Sequence, residues 1–122
     1  MNVLIVEDNA LVRRMIREML SGLKADIHEC ANGAEAMISY ARHRPDWVLM
    51  DIEMPVCDGI AATKHIKESF AEAKVIICTS HDSPRLRLSA REAGAYAYVL
   101  KDDLIHLREM LADSENADGK RL

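Results

Sequence analysis

Short apolar runs alternate along this chain with longer segments of helical period, and this alternation restricts the fold more than any other feature. Several of the runs are apolar on both faces, which is typical of strands in a parallel sheet covered by helices on both sides. We therefore predict an α/β fold of five βα units. The predicted strands are residues 3–6, 25–30, 47–50, 75–78 and 96–100. The second run is the most polar, which favours an edge position for that strand.

Helix start and stop signals lie between the runs. We expect helices from Asn9 to about Leu20, from Asn32-Gly33 to just before Pro45, from about Ile60 to Phe70, from Asp82 or Ser83 to Gly94, and from Asp102-Asp103 onward. In the first helix the apolar side chains are expected to face the core: Leu11, Val12, Met15, Ile16, Met19 and Leu20. Arg13, Arg14 and Arg17 are expected to point outward.

Composition excludes several classes of protein. The 122 residues suit one domain with a real core, and the net charge of −4 argues against a free-standing nucleic-acid binder. No segment resembles a signal peptide or a membrane span, so no membrane partner is expected. The three cysteines lack metal-ligand spacing and are typical of reduced thiols in a cytoplasmic protein. Residues 113–122 are polar and are predicted to be a tail or the start of a linker.

Charged and hydroxyl side chains stand where the predicted strands end. Glu7 and Asp8 follow the first strand, Asp51 the third, Thr79 the fourth and Lys101 the fifth. In an open parallel sheet, ligands bind beyond the carboxyl ends of the strands. We therefore expect these five side chains to converge on one edge of the sheet. For Asp51 alone, a role as a helix cap is the alternative.

Three close carboxylates repel one another, and a bound cation would offset this repulsion. Oxygen ligands suit Mg²⁺, which favours a phosphate partner. A carboxylate kept ionised by the metal can act as a nucleophile, while a lysine and a hydroxyl bind phosphoryl oxygens. The set therefore has the components of a phosphoryl-transfer site.

These residues resemble the receiver domain of two-component response regulators, over nearly the whole chain. The matching positions are Glu7-Asp8, the segment Asp51-Ile52-Glu53-Met54-Pro55-Val56-Cys57-Asp58-Gly59, Thr79-Ser80 and Lys101. The resemblance implies a flavodoxin-like (βα)5 three-layer sandwich with strand order 2-1-3-4-5. It assigns residues 1–112 to the receiver domain.

The resemblance also implies roles for the acidic residues and the lysine. Asp51 would accept a phosphoryl group from a sensor histidine kinase or a phosphotransfer protein. Asp8 and Asp51 would bind Mg²⁺ directly, Glu7 would bind it through water, and Glu53 would contribute its backbone carbonyl. Mn²⁺ is an expected substitute. Lys101 would pair with Asp51 and then with the phosphoryl oxygens.

Four residues are implicated in switching and in the lifetime of the phosphoryl group. In the family, phosphoryl oxygens draw the hydroxyl inward, here Thr79, and an aromatic ring follows, here Tyr98. The face formed by the fourth helix, last strand and fifth helix would be the output. Glu53 and His81 flank the approach of the hydrolytic water, and they could either slow or speed hydrolysis of the phosphoryl group. The alternatives are a half-buried Tyr98 with no switching role and a solvated His81.

The residues after the lysine indicate the subfamily. Many receivers have proline there, whereas Lys101-Asp102-Asp103 resembles receivers with a C-terminal helix-turn-helix that bind DNA as dimers. The resemblance implies transcriptional output, a homodimer on phosphorylation, and DNA contact only through an effector domain outside this chain. The two aspartates also serve as ordinary helix-start residues. For Arg85, Arg87 and Arg91 we weigh a solvated face against a docking or dimer role.

Two other functions compete with a signalling module. An aspartyl-nucleophile phosphatase or phosphotransferase would use an acid two residues after its nucleophile, a position that Glu53 occupies. Such an enzyme would also need a lid or cap domain to exclude water, and we expect none in these 122 residues. A flavin or nucleotide carrier would need a Gly-rich loop after the first strand, where the chain has Glu7-Asp8-Asn9. We therefore expect a switch with only self-phosphorylation and self-dephosphorylation, and not a metabolic enzyme.

Overall fold

The structure, a computed structural model, describes the backbone of residues 1–120 and the side chains of residues 1–115. Strands and helices alternate throughout, as the sequence predicts. The strands are β1 (Asn2–Val6), β2 (Asp26–Cys30), β3 (Trp47–Met50), β4 (Val75–Thr79) and β5 (Ala97–Leu100). The helices are α1 (Ala10–Met19), α2 (Gly33–His43), α3 (Gly59–Ser69), α4 (Pro84–Glu92) and α5 (Leu104–Lys120).

The five strands form one parallel sheet in the order β2-β1-β3-β4-β5. This order confirms the flavodoxin-like (βα)5 fold and the edge position of β2. The strand order reverses beside β1, so the carboxyl ends of β1 and β3 face a crevice at the point where ligands bind in such sheets. The fold therefore brings the residues after β1 and β3 together.

Two apolar cores cover the two faces of the sheet. On one face, α2, α3 and α4 pack through residues such as Tyr40, Ile66 and Ala90. On the other face, α1 and α5 pack through residues such as Ile16 and Leu107. The central strands are buried on both sides, which explains why their sequences lack the alternation of a half-exposed strand.

Side-chain caps set where four helices begin. Asn9, Asn32, Asp58 and Ser83 each accept a hydrogen bond from a backbone N–H in the first turn of α1, α2, α3 and α4. The sequence offered Asp82 or Ser83 as the cap of α4, and the structure shows that it is Ser83. Asp82 pairs with Arg87 instead. Each cap satisfies N–H groups that the helix itself leaves unpaired.

The predicted face of α1 is partly wrong. Leu11 is 71% exposed and Met15 is 53% exposed, because α1 contacts the sheet along a narrow stripe centred on Ile16 and Leu20. Arg13 does not point outward either. Its guanidinium donates to the carbonyl of Glu7 at 2.6 Å and pairs with the Glu29 carboxylate at 3.3 Å.

The last helix extends into the segment that the sequence marks as a polar tail. α5 continues through Lys120, so the backbone of residues 113–120 is helical. Residues 121–122 lie outside the described part of the chain, and the linker role of this segment stays a prediction. Among the described helices, none is both long and apolar enough to cross a membrane.

Candidate functional site

A polar cavity of about 350 Å³ opens at the carboxyl edge of the sheet. It contains all the residues that the sequence places at strand ends. Its lining consists of Glu7, Asp8, Asn9, Val12, Asp51, Glu53, Thr79, Ser80, His81 and Lys101. The predicted convergence is therefore observed, and the cavity is bounded by the first turns of α1 and by the loops after β3 and β4.

Asp51 is held rigidly at the end of β3. The residue is 6% exposed, and its backbone N–H donates to the carbonyl of Val6 at 2.9 Å. On the other side, α3 begins directly against its carbonyl: a Cβ on Gly59 would lie 1.7 Å from that oxygen. Only glycine permits this approach. The backbone of Asp51 is thus fixed between β1 and the start of α3.

Lys101 pairs with two acids rather than one. Its Nζ lies 3.1 Å from Asp51 Oδ1, as the family resemblance implies, and 2.7 Å from Glu7 Oε1. Burial lowers the pKa of Lys101, but the bonds it donates to Glu7 and Asp51 outweigh burial and raise it overall. The lysine is therefore a fixed cation at the edge of the sheet. The sequence argument missed its bond to Glu7, because nothing local marks a contact between residues 94 positions apart.

Glu7 is the most buried acid of the cluster. Burial, together with the neighbouring Asp51 carboxylate, raises its pKa to about 7, against the lowering effect of Lys101. Its second oxygen, Oε2, has no hydrogen-bond partner among the residues that the structure describes. A buried polar atom without a partner is costly, so the cluster is suited to a further positive ligand.

The acid cluster fits a divalent cation. Ligand atoms of Glu7, Asp8 and Asp51 all lie within 4.8 Å of one another, and Glu53 lines the same cavity. An all-oxygen donor set with an unpartnered carboxylate oxygen suits Mg²⁺. Arg13 supports the arrangement, since its guanidinium holds the backbone carbonyls of Glu7 and Asp8 at 2.6 and 3.3 Å.

A chain of hydrogen bonds leads from Thr79 to Tyr98. The Thr79 hydroxyl oxygen, which is buried, accepts from the backbone N–H of His81 at 3.2 Å. The carbonyl of His81 in turn accepts from the Tyr98 hydroxyl at 2.7 Å. Burial raises the pKa of Tyr98, and the guanidinium of Arg87 lies 4.6 Å from its ring centre. The predicted switch residues are therefore physically connected through His81.

The side chains of Glu53 and His81 are in contact across the mouth of the cavity. His81 Nε2 lies 2.5 Å from Glu53 Oε1, and both side chains are exposed. The sequence places each residue beside the path of water but does not reveal that they contact each other. The pair joins the loop after β3 to the loop after β4.

The loop after β3 contains an unusual backbone conformation. Val56 has a φ of +73°, in the left-handed region that disfavours β-branched residues, and its side chain is 86% exposed.

The neighbouring Cys57 and the other two cysteines are free thiols. Burial raises the pKa of Cys30 to about 11 and of Cys78 to about 12, so both are unreactive packing residues.

The architecture and the site agree with one protein family. The family model described as "Response regulator receiver domain" matches residues 3–112. The chain belongs to the response regulator receiver family. Receiver domains bind Mg²⁺ at an acidic pocket and interact with kinases or phosphotransfer proteins. In this chain the acidic cluster consists of Glu7, Asp8 and Asp51.

Known receivers of several kinds are similar to this chain. Chemotaxis protein CheY of Bacillus subtilis is 41% identical over 101 residues, which cover 81% of this chain and 83% of that protein. A LuxR-family response regulator from Aurantimonas sp. SI85-9A1 superposes with a TM-score of 0.86 at 32% identity, over 92% of this chain and 82% of that one. CheY in the CheX-CheY-BeF3-Mg²⁺ complex of Borrelia burgdorferi superposes with a TM-score of 0.81 at 28% identity, covering 91% and 87%.

These similarities define the family but not the output. Chemotaxis proteins and LuxR-family regulators occur together among the relatives. The helix-turn-helix subfamily expected from Lys101-Asp102-Asp103 is therefore not established.

Proposed function

We propose that this receiver is switched by phosphorylation of Asp51, with the phosphoryl group supplied by a sensor histidine kinase or a phosphotransfer protein. In the transfer, a carboxylate oxygen of Asp51 forms a bond to phosphorus. The bond between phosphorus and the donor histidine nitrogen breaks, and that nitrogen keeps the electron pair. The product is an acyl phosphate on Asp51 and a free histidine.

One observation carries the proposal: Asp51 is a buried carboxylate with a lysine ammonium at 3.1 Å and two further acids around it. Lys101 offers positive charge to the transferred oxygens at the point where negative charge gathers. The hydroxyl of Thr79 accepts a bond from His81, which leaves its own proton available for a phosphoryl oxygen. These groups are positioned before any donor arrives.

The divalent cation would be held by Asp8 and Asp51 directly, by Glu7 through water and by the backbone carbonyl of Glu53. Mg²⁺, or Mn²⁺ in its place, supplies charge neutralisation for the acids and for the phosphoryl oxygens. Glu7 would meanwhile hold Lys101 in place through the 2.7 Å bond to Nζ.

Glu53 and His81 are proposed to set the lifetime of the phosphoryl group. The contact between their side chains crosses the opening of the cavity, in the path by which water reaches Asp51. A closed pair restricts this approach, so we expect slow self-dephosphorylation. The same pair keeps the Glu53 carboxylate bound to His81, which disfavours its use as the general acid or base of a phosphatase. We therefore propose a signalling module and not a metabolic enzyme.

The output surface is proposed to be the face of α4, β5 and α5. A cleft of about 450 Å³ lies between α4 and β5, next to Tyr98. Leu88 and Tyr96 on its border are 54% and 60% exposed, and Arg87 and Arg91 add positive charge. A change at Thr79 reaches this cleft through His81 and Tyr98. The exposed arginines favour a docking role over a merely solvated face.

The other expectations on partners and location stay proposals. We propose a homodimer on phosphorylation and a transcriptional output through an effector domain outside this chain, in the cytoplasm. The LuxR-family relatives support this output, and the chemotaxis relatives favour a different one. The reading frame beyond Leu122 tests the transcriptional output directly, because that output requires a helix-turn-helix there.

Phosphorylation with a small donor tests the central proposal. The protein is incubated with Mg²⁺ and acetyl phosphate, and the intact mass is measured. We expect a single, slowly lost phosphoryl adduct that requires Mg²⁺ and is absent from Asp51→Asn. Asp58→Asn is the matched control, because Asp58 is a nearby acid used only as the cap of α3. Rapid turnover of many phosphate esters would favour the phosphatase, and no adduct on the wild-type protein would refute the proposal.

A further inference from the structure

Asp8 differs from the other two acids of the cluster in what holds it in place. Asp51 is fixed between β1 and α3, and Glu7 is 1% exposed, with its backbone N–H bonded to the carbonyl of Cys30 at 3.1 Å. Asp8 is exposed and lies between the end of β1 and the start of α1, outside both elements. Metal affinity depends on groups that orient the ligands, so an acid at this position requires such a group.

The side chain of Arg13, on α1, binds the backbone on both sides of Asp8. Its Nη1 donates to the carbonyl of Glu7 at 2.6 Å and to the carbonyl of Asp8 at 3.3 Å. These carbonyls belong to the two peptide groups that flank the Cα of Asp8, so one guanidinium fixes the direction in which the Asp8 side chain leaves the backbone. Arg13 is not among the residues described along the cavity wall. It therefore acts through Asp8 and not on a ligand.

The edge strand β2 fixes Arg13 in turn. The Nε of Arg13 lies 3.3 Å from Oε1 of Glu29, and the two side chains are 22% and 29% exposed. The other carboxylate oxygen of Glu29 pairs with Arg17 on the next turn of α1. Glu29 thus offsets the positive charge of Arg13, which would otherwise repel a cation in the acid cluster. The part of the cavity wall that the structure describes includes no residue of β2, yet this strand reaches the cluster through Glu29 and Arg13.

We propose that Arg13, held by Glu29, is a positioning residue for the divalent cation. The inference rests on the proposed function, because it concerns the cation site of the acid cluster. The guanidinium keeps the Asp8 carboxylate at the cavity before a cation arrives, so that binding does not have to order the loop. Groups that orient a metal ligand without contacting the metal typically contribute about ten- to hundredfold to the affinity.

A Mg²⁺ titration of the full chain tests the role of Arg13. The amide signal of Asp8 is followed by ¹H–¹⁵N NMR, and the Kd for Mg²⁺ is obtained from its shift. Arg13→Met removes the guanidinium and keeps an unbranched stem, and it should raise this Kd about tenfold or more. Arg14→Met is the matched control and should leave the Kd unchanged, because Arg14 is the next residue of the same helix, 73% exposed and paired with Glu18.

The direction of the change distinguishes positioning from charge. Arg13→Met also removes a positive charge near the cation, and this loss by itself would tighten Mg²⁺ binding. Weaker binding therefore reports the loss of positioning. Arg13→Lys keeps the charge but lacks the planar fork of the guanidinium, so it should restore only part of the affinity. Glu29→Gln should also weaken binding, because the Nε of Arg13 loses its charged partner.

Two results would overturn the inference: a Kd in Arg13→Met equal to or below that of the wild type, and an equal loss of affinity in Arg14→Met. Urea unfolding in EDTA identifies the variants that are folded under the titration conditions, and Arg13→Lys replaces Arg13→Met if the latter is not. A merely structural role would lower the free energy of unfolding and leave the Kd of the folded protein unchanged.

The proposed function is tested separately in the same samples. A wild type that neither binds Mg²⁺ nor forms a phosphoryl adduct with acetyl phosphate would refute the cation site itself. A wild type that does both, beside an Arg13→Met variant of equal Mg²⁺ affinity, would refute only the role of Arg13.

Discussion

The buried Glu7 carboxyl should make the stability of the metal-free protein fall as pH rises. Its pKa is about 7 in the folded protein, against an ordinary value of 4.5. Between these values the folded state keeps a proton that the unfolded state has released, so increasing pH favours unfolding. A pKa difference of this size corresponds to about 3 kcal/mol, lost as pH rises from about 4.5 to about 7 and constant above that.

The assay compares wild type with Glu7→Gln in EDTA, so that the acid cluster is metal-free. Urea unfolding is followed by the fluorescence of Trp47 at a series of pH values. The glutamine keeps an oxygen for Lys101 but cannot titrate, so the free energy of unfolding of the wild type should fall by about 3 kcal/mol relative to the variant across this pH range. Glu68→Gln, at an exposed position, should follow the wild type.

The coupling to Asp51 provides a second check on the same reasoning. The neighbouring Asp51 carboxylate raises the pKa of Glu7, so Asp51→Asn should shift the pH-dependent loss to lower pH. A difference between wild type and Glu7→Gln that does not change with pH, or that grows in the opposite direction, would refute the assignment of a buried, protonated Glu7.

Three further substitutions have defined outcomes. Gly59→Ala should destabilise the protein by more than about 3 kcal/mol in urea unfolding, because its Cβ would collide with the Asp51 carbonyl; a smaller loss would contradict the tight contact. Val56→Asn should stabilise by about 1 kcal/mol, since asparagine tolerates positive φ, whereas Val56→Thr, still β-branched, should not. Tyr98→Phe should lower the free energy of unfolding by about 1 kcal/mol, because it removes the hydrogen bond to the His81 carbonyl. The variant should still be phosphorylated on Asp51 by acetyl phosphate. Loss of the phosphoryl adduct in this variant would show that Tyr98 belongs to the acceptor site.

The fold could be predicted because it depends on local patterns. Runs such as residues 75–78 are apolar at every position, which occurs when both faces of a strand are covered. The strand ends also fall at abrupt changes from apolar to charged residues, as at Asp51. The order of the strands came from the family resemblance, since the periodicity of a strand does not name its neighbours.

The details that the sequence did not predict depend on contacts between distant residues. Leu11 and Met15 have the spacing of core residues, yet α1 crosses the sheet so that only a narrow stripe is covered. Arg13 belongs to a charged run that resembles a solvated face, but its guanidinium reaches the carbonyl of Glu7. The contact between Glu53 and His81 joins two loops whose separation is set by the sheet. No local signal reports any of these distances.

His81 connects the opening of the acidic cavity to β5. Its imidazole binds Glu53 at the mouth of the cavity, and its carbonyl accepts the hydroxyl of Tyr98 on β5. A movement of this residue therefore changes both contacts at once. Under the proposed function, the duration of a signal and its strength are linked traits in this protein. A mutation that displaces the backbone of His81 alters both, whereas one confined to its imidazole can change duration alone.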